Sequence, residues 1–187
     1  MPPLAPPRFH RADEIDLYFD EQPLLAVQAT SGPHRFDLRV CQLICNVRFP
    51  GCRANFPAKI DQAAYITVIP KPRWQQMTGV AIEWLSVPPS APPCWSSIAG
   101  ISGHRIPCRL GAVWAYAVDY RMRCLPAVHM IALFVQGDIR EDHILIGLTH
   151  GLLDDRYIIS KSHPDATRRQ AWLTTQAPIP PAGISVS

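Results

Sequence analysis

Lysine is scarce in this chain: only 3 of its 18 basic residues are lysines. The remaining arginines are scattered, and "TRRQ" and "RMR" are the densest spots. With a net charge of +3 and no basic stripe, nucleic acid is not expected as a partner. Long apolar runs are also missing. Stretches such as "AVHMIALFV" fall far short of the about 20 residues a membrane-spanning helix needs, so no membrane partner is expected. The opening "MPPLAPPRF" is proline-rich rather than basic and then apolar, which leads to the expectation of a cytoplasmic protein. No Gly-x-Ser-x-Gly elbow occurs, which argues against an α/β-hydrolase. No phosphate-cradling loop occurs either, since "GISGHR" lacks the lysine such a loop requires.

Cysteine is present but carries no metal pattern. In "CQLICNVRFPGC" the spacing matches no common zinc arrangement, so core cysteines are favoured over metal ligands. Periodicity explains the cysteines better. Cys41, Leu43, Cys45, Val47 and Phe49 alternate onto one face of a strand, where a free cysteine behaves as a small apolar residue. Disulfides are not expected.

What the chain has in quantity is short β-type segments separated by turns. "FDLRVCQLICNVRF" reads as one long strand or a bent one, and "YITVIP" as a short β-branched strand ended by proline. "TGVAIEWLSVPP" is a further strand candidate. "IAGISGHRIPCRLGAVWAYAVDY" reads as two strands around a glycine-bearing tip, and "AVHMIALFVQGD" as an apolar strand and a turn. "DHILIGLTHGLLDDRYII" gives a short strand, a glycine, a short helix and a last strand. "PRWQQM" fits one helical turn. Many short strands with frequent turns predict a closed or sandwiched all-β domain. The domain is expected over 34–162. It follows an N-terminal extension over 1–33, in which "RADEIDLYFDEQPLL" fits a short helix or an edge strand. A polar, proline-rich tail over 163–187 follows it.

Four features occur in order: Asp61 on a tight loop of small residues before "YITVIP"; the glycine-bearing "AGISGHRIPCRLG"; the apolar "HMIALFV"; and "ILIGLTHGLLDD". In that order they resemble the retropepsin-like aspartic proteases, the single-domain relatives of pepsin, over about residues 36 to 160. The resemblance implies a closed retropepsin-like β-barrel with a flap hairpin and one short C-terminal helix. It implies Asp61 as the catalytic aspartate, with Gln62, Ala63 and Ala64 completing the active-site loop. Gly100, Ile101, Ser102 and Gly103 would form the flap tip, and Leu145, Ile146 and Gly147 would pack beneath the active loop. One aspartate per chain implies a homodimer that hydrolyses a peptide or protein substrate with no metal or organic cofactor. The family triplet is Asp-Thr/Ser-Gly, and here it is Asp61-Gln62-Ala63. Gln62 is longer than threonine, and Ala63 adds a methyl that is strained if its φ is positive. The alternative is therefore a non-catalytic descendant that keeps the cleft as a peptide-binding or assembly module.

Taken alone, Asp61 is a turn former that bonds its own backbone. His104, His143 and His150 read as loop or surface residues. Asp154 and Asp155 read as helix-capping and surface charge. Trp74, Trp84, Trp95 and Trp114 are explained most simply by core packing.

Overall fold

A computed structural model of the chain describes residues 9–28, 32–33, 35–99, 103–161, 163 and 165–178. The strands in chain order are β1 (His10–Arg11), β2 (Glu14–Gln28), β3 (Arg35–Arg48), β4 (Asn55–Ile60), β5 (Thr67–Ile69), β6 (Glu83–Trp84) and β7 (Ser97–Ala99). They continue with β8 (Arg105–Val118), β9 (Arg123–Cys124), β10 (Val128–Val135), β11 (Ile144–Ile146), β12 (Tyr157–Lys161) and β13 (Gln170–Thr174). The α-helix α1 (Lys71–Trp74) is a single turn in "PRWQQM", entered through Pro70 and Pro72. Proline suits this first turn because its missing N–H would have no helical partner there.

The sheet is large and mixed. Antiparallel β8–β10, parallel β10–β5, antiparallel β5–β11, parallel β11–β4, antiparallel β4–β3 and antiparallel β3–β8 pairings close a ring of six strands. Beyond the ring, β2 extends from β3, then β13 from β2, with β12 at the outer edge. The ring interior follows strand alternation. Cys45 and Val47 of β3, Phe56, Ala58 and Ile60 of β4, Val113, Ala115 and Ala117 of β8, and Met130, Ala132 and Phe134 of β10 share one buried cluster. A smaller cluster of Ile66, Val68, Leu110, Leu133 and Val135 lies under Trp95, Ile98 and Ile106. Thr67, Val68 and Ile69 of β5 are therefore all buried, as expected for a strand covered on both faces.

Several expectations meet a different arrangement. Residues 10–28, read as lying ahead of the domain, form β1 and β2, and Ile15 and Leu17 enter the main core. The segment fits a helix or an edge strand by its pattern, and the pairing with β3 and β13 decides for strand. A register shift falls at Pro23, which has no N–H for the ladder. Residues 170–174, read as tail, form β13 and bury Ala171 and Leu173. Within "TGVAIEWLSVPP" only β6 pairs. Cys41 is exposed at the outer part of β3, while Cys45 is fully buried and its thiol is pushed up to about 12 by burial. Trp74, Trp84 and Trp95 pack against the cores, but Trp114 is exposed and stacks on His129 across β8 and β10.

The short C-terminal helix does not form. After β11 the chain runs through turns to β12. His150 and Asp155 hold φ of 58° and 54°, which interrupts a right-handed helix at both ends of "HGLLDD". The backbone bonds there are three-residue turns, Asp154 N–H to Gly151 O and Arg156 N–H to Leu153 O. Tertiary bonds claim two further groups: Ile131 N–H donates to His150 O, and Thr149 N–H donates to Tyr65 O.

Candidate functional site

β4 delivers Asp61 to a loop held from two sides. Asp61 N–H donates to Ile146 O at 3.1 Å, which extends the β4–β11 pairing by one step. Ala64 N–H returns to Asp61 O at 3.1 Å and closes a turn. Further along, Leu148 N–H donates to Ala64 O and Thr149 N–H to Tyr65 O, both at 3.1 Å. The Thr149 hydroxyl donates to the same Tyr65 carbonyl at 3.0 Å. The loop is thus pinned by strand-like bonds although β5 begins only at Thr67.

Gly147 sets how closely the two segments meet. A Cβ there would lie 2.3 Å from Ile66 C, 2.6 Å from Thr67 N and 2.7 Å from Ile66 Cα. All three are backbone atoms that cannot step aside, so only glycine fits. Gly147 N–H also donates to the buried Thr67 hydroxyl at 3.3 Å. Leu145 lies between Lys59 and Val68 in the sheet, and Ile146 is fully buried. Leu145, Ile146 and Gly147 are therefore the segment against which the Asp61 loop is laid.

The Asp61 side chain is half-buried, and Gln62 and Ala63 are exposed. Ala63 N–H donates to Asp61 Oδ1 at 2.9 Å, a turn closed on the aspartate's own carboxylate. Ala63 is not among the described residues with positive φ, so its methyl carries no left-handed strain. Among the described residues, Asp61 Oδ2 accepts no hydrogen bond. The loop thus presents one carboxylate oxygen that its own turn does not use.

Of the glycine-bearing tip, Gly100, Ile101 and Ser102 lie outside the described residues, and Gly103 holds a φ of 77°. The arms of that hairpin are described: Ser97 pairs with Pro107, Ile98 with Ile106 and Ala99 with Arg105. The three histidines are dispersed. His104 is exposed, and His150 sits with its ring 6.4 Å from that of Tyr65. His143 Nδ1 lies 3.0 Å from Glu141 Oε1. Asp154 and Asp155 are exposed on the turns before β12. Among the described residues, no three metal-ligating side chains converge.

Two carboxylates with dense environments were not legible as such. Asp119, at the end of β8, is buried and accepts from Arg121 N–H at 2.9 Å, Arg123 N–H at 2.9 Å, Arg123 Nε at 2.7 Å and Asp16 N–H at 3.3 Å. Arg123 Nη2 also comes 2.9 Å from Asp16 Oδ1, close enough for an ion pair but off hydrogen-bond geometry. The signal available was "VDYRMR", an aspartate followed by arginines two and four residues on. Glu141 accepts from Asp142 N–H, His143 N–H and Lys59 Nζ. Burial alone would push its carboxyl up, but the His143 bonds and Lys59 outweigh that and hold it below the usual value.

Compared with protein-family models, with curated proteins and with solved structures, the chain matches none.

Proposed function

We propose that this chain is a retropepsin-like aspartic endopeptidase that works as a homodimer. The observation that carries the reading is the Asp61 loop itself. It is pinned by Ile146 and by the Gly147–Thr149 segment, it satisfies Oδ1 from Ala63, and it leaves Oδ2 without a partner among the described residues. A two-fold axis beside the loop would bring two Asp61 carboxylates together. Two such groups at hydrogen-bond range cannot both ionise cheaply, so the pair shares one proton. The ionised member takes a proton from a bound water, which attacks the peptide carbonyl. The protonated member donates to the carbonyl oxygen. The pair titrates as a unit, which gives a bell-shaped dependence of rate on pH. The β7–β8 hairpin is the flap in this reading, closing over the substrate and excluding water.

A second reading draws on the altered triplet. Gln62 is exposed and carries an amide in place of the family's hydroxyl, which supports a descendant that binds peptide without cleaving it.

Peptide-library cleavage from acidic to neutral pH, read by mass spectrometry, separates the two. The chain is compared with Asp61→Asn and with the double variant Gln62→Thr, Ala63→Gly. Cleavage lost in Asp61→Asn establishes the endopeptidase. Cleavage only by the double variant identifies a protease scaffold silenced at the triplet. Cleavage by none of them sinks the catalytic reading and leaves the binding module.

A further inference from the structure

We infer that Arg48 is the centre of an anion-binding site that takes an oxyanion, the group of a phosphate or a carboxylate. The site is separate from the Asp61 loop. Arg48 pairs with Asn55 at the start of β4, and Asp61 follows the other end of that strand, about 20 Å along it.

Arg48 is 8% exposed and is the one buried arginine among the described residues. No described carboxylate comes within ion-pair range of it. Other arginines are compensated. Arg73, Arg121, Arg123 and Arg169 each reach an aspartate or glutamate. Arg156, which is part-buried, donates to the carbonyls of Leu152 and Pro126. Taking a guanidinium out of water with no anion beside it is costly, so an unpaired one marks a place for a ligand.

The way Arg48 is held leaves one edge of it free. Nη1 donates to Asn55 Oδ1 at 3.2 Å. The Phe9 ring covers the guanidinium face, with Cζ 4.5 Å from the ring centre. Phe9 in turn meets Tyr116 edge-on at 6.0 Å, and Tyr116 is the partner of Arg48 across β3 and β8. A ring face offsets part of the lost hydration but takes no bond from the edge of the fork. Nε and Nη2 donate to nothing among the described residues, and neither is sealed from solvent. Their N–H groups lie side by side on that edge, the geometry that meets two oxygens of a carboxylate or phosphate.

The surroundings add positive charge. Residues 46–58 of the β3–β4 hairpin carry Arg48 and Arg53 and no Asp or Glu. β1 contributes the exposed Arg11. Burial pushes the Tyr116 phenol up and the Arg48 charge opposes it, while the other group acting on that ring is the Cys124 thiol rather than a carboxylate.

The test is an NMR titration of the full chain, read at the backbone amides of Asn55 and Tyr116. Sodium phosphate, sodium acetate and sodium chloride are added at matched ionic strength. Phosphate or acetate should give saturable shifts and chloride none. Earlier saturation by phosphate assigns a phosphoryl ligand, and earlier saturation by acetate a carboxylate. Arg48→Lys keeps the charge but loses the fork, so its affinity should fall at least about 10-fold. Arg53→Lys, on the exposed part of the same hairpin, should bind like the parent. Shifts that fail to saturate, or that chloride reproduces, reflect screening alone and overturn the site. Equal affinity in Arg48→Lys and the parent, or an equal fall in Arg53→Lys, overturns it as well. Thermal unfolding gives a second readout: phosphate should raise the midpoint of the parent and not that of Arg48→Met, and an equal rise in both defeats the inference.

Discussion

Asp61 and Asp119 both close turns with their own backbone, and they differ in what they have left over. Asp119 is buried and accepts from four donors, three of them from the turn it caps and one from β2. Asp61 is half-exposed and accepts from one. The first carboxylate spends its whole acceptor capacity on holding β2, β8 and β9 together. The second uses one of about four acceptor sites, and the loop geometry is secured by other atoms, the carbonyl of Ile146 and the missing side chain of Gly147. A carboxylate that is not needed for folding is free for chemistry. Glu141 stands between them, part-buried and held by Lys59 and the 142–143 backbone.

This contrast can be broken by substitution. Asp119→Ala should be the most damaging change, because it leaves Arg123 Nε and three backbone donors without their acceptor. A loss of about 4 kcal/mol in urea unfolding is expected, the range for removing one member of a buried pair. A loss below about 1 kcal/mol would show that Asp16 takes over the role.

Gly147→Ala should cost about 3 kcal/mol, since its Cβ would meet backbone rather than a side chain that can turn away. Gly137→Ala is the matched comparison. There the Cβ meets only the Ile106 Cγ2 at 2.9 Å, so a smaller drop in midpoint is expected. Equal losses would mean that the Asp61 loop shifts easily.

Glu141→Gln should lower stability at neutral pH by about 1 kcal/mol, the scale of a partly exposed ion pair. Its folded pKa is depressed, so the carboxylate stabilises above the unfolded value of about 4.3. That contribution disappears as pH falls through the lower folded value. The gap between the two proteins should therefore close below pH of about 4, and a gap that widens on acidification would contradict it.

The smallest effects belong to the Asp61 loop. Ala63→Gly should destabilise by about 0.5 kcal/mol, because Ala63 already sits at a φ open to any residue and glycine only loosens the unfolded chain. Asp61→Asn should change stability by less than about 0.5 kcal/mol, since the amide oxygen still accepts from Ala63 N–H. Thermal unfolding of both variants measures these. A large loss in Asp61→Asn would make Asp61 a structural turn former like Asp119.

Much of the fold was readable because strand alternation is a local property. The burial of Cys45 and Val47 was visible in the alternation of β3, and β5, β8, β10 and β11 were visible as β-type segments. The helix expected after Ile146 was misread for a definite reason. "THGLLDD" has helix-compatible composition, but Tyr65 O and Ile131 N–H, distant in sequence, take up the backbone groups of Thr149 and His150. The N-terminal and C-terminal strands were read as extension and tail because the pairing that joins them to the sheet, Ile15 with Leu173, links residues more than a hundred apart in sequence.

The sequence by itself determined an all-β chain, the burial of Cys45, and the placing of Asp61 between two apolar strands, because these follow from local periodicity and turn chemistry. Tertiary structure alone decided that β3 closes on β8, that Gly147 meets Ile66 without room for a methyl, and that Asp119 is saturated while Asp61 keeps an oxygen free. Those outcomes depend on which strands pair across long loops. Such pairings are chosen by the total burial and hydrogen bonding of the ring, which no single segment specifies.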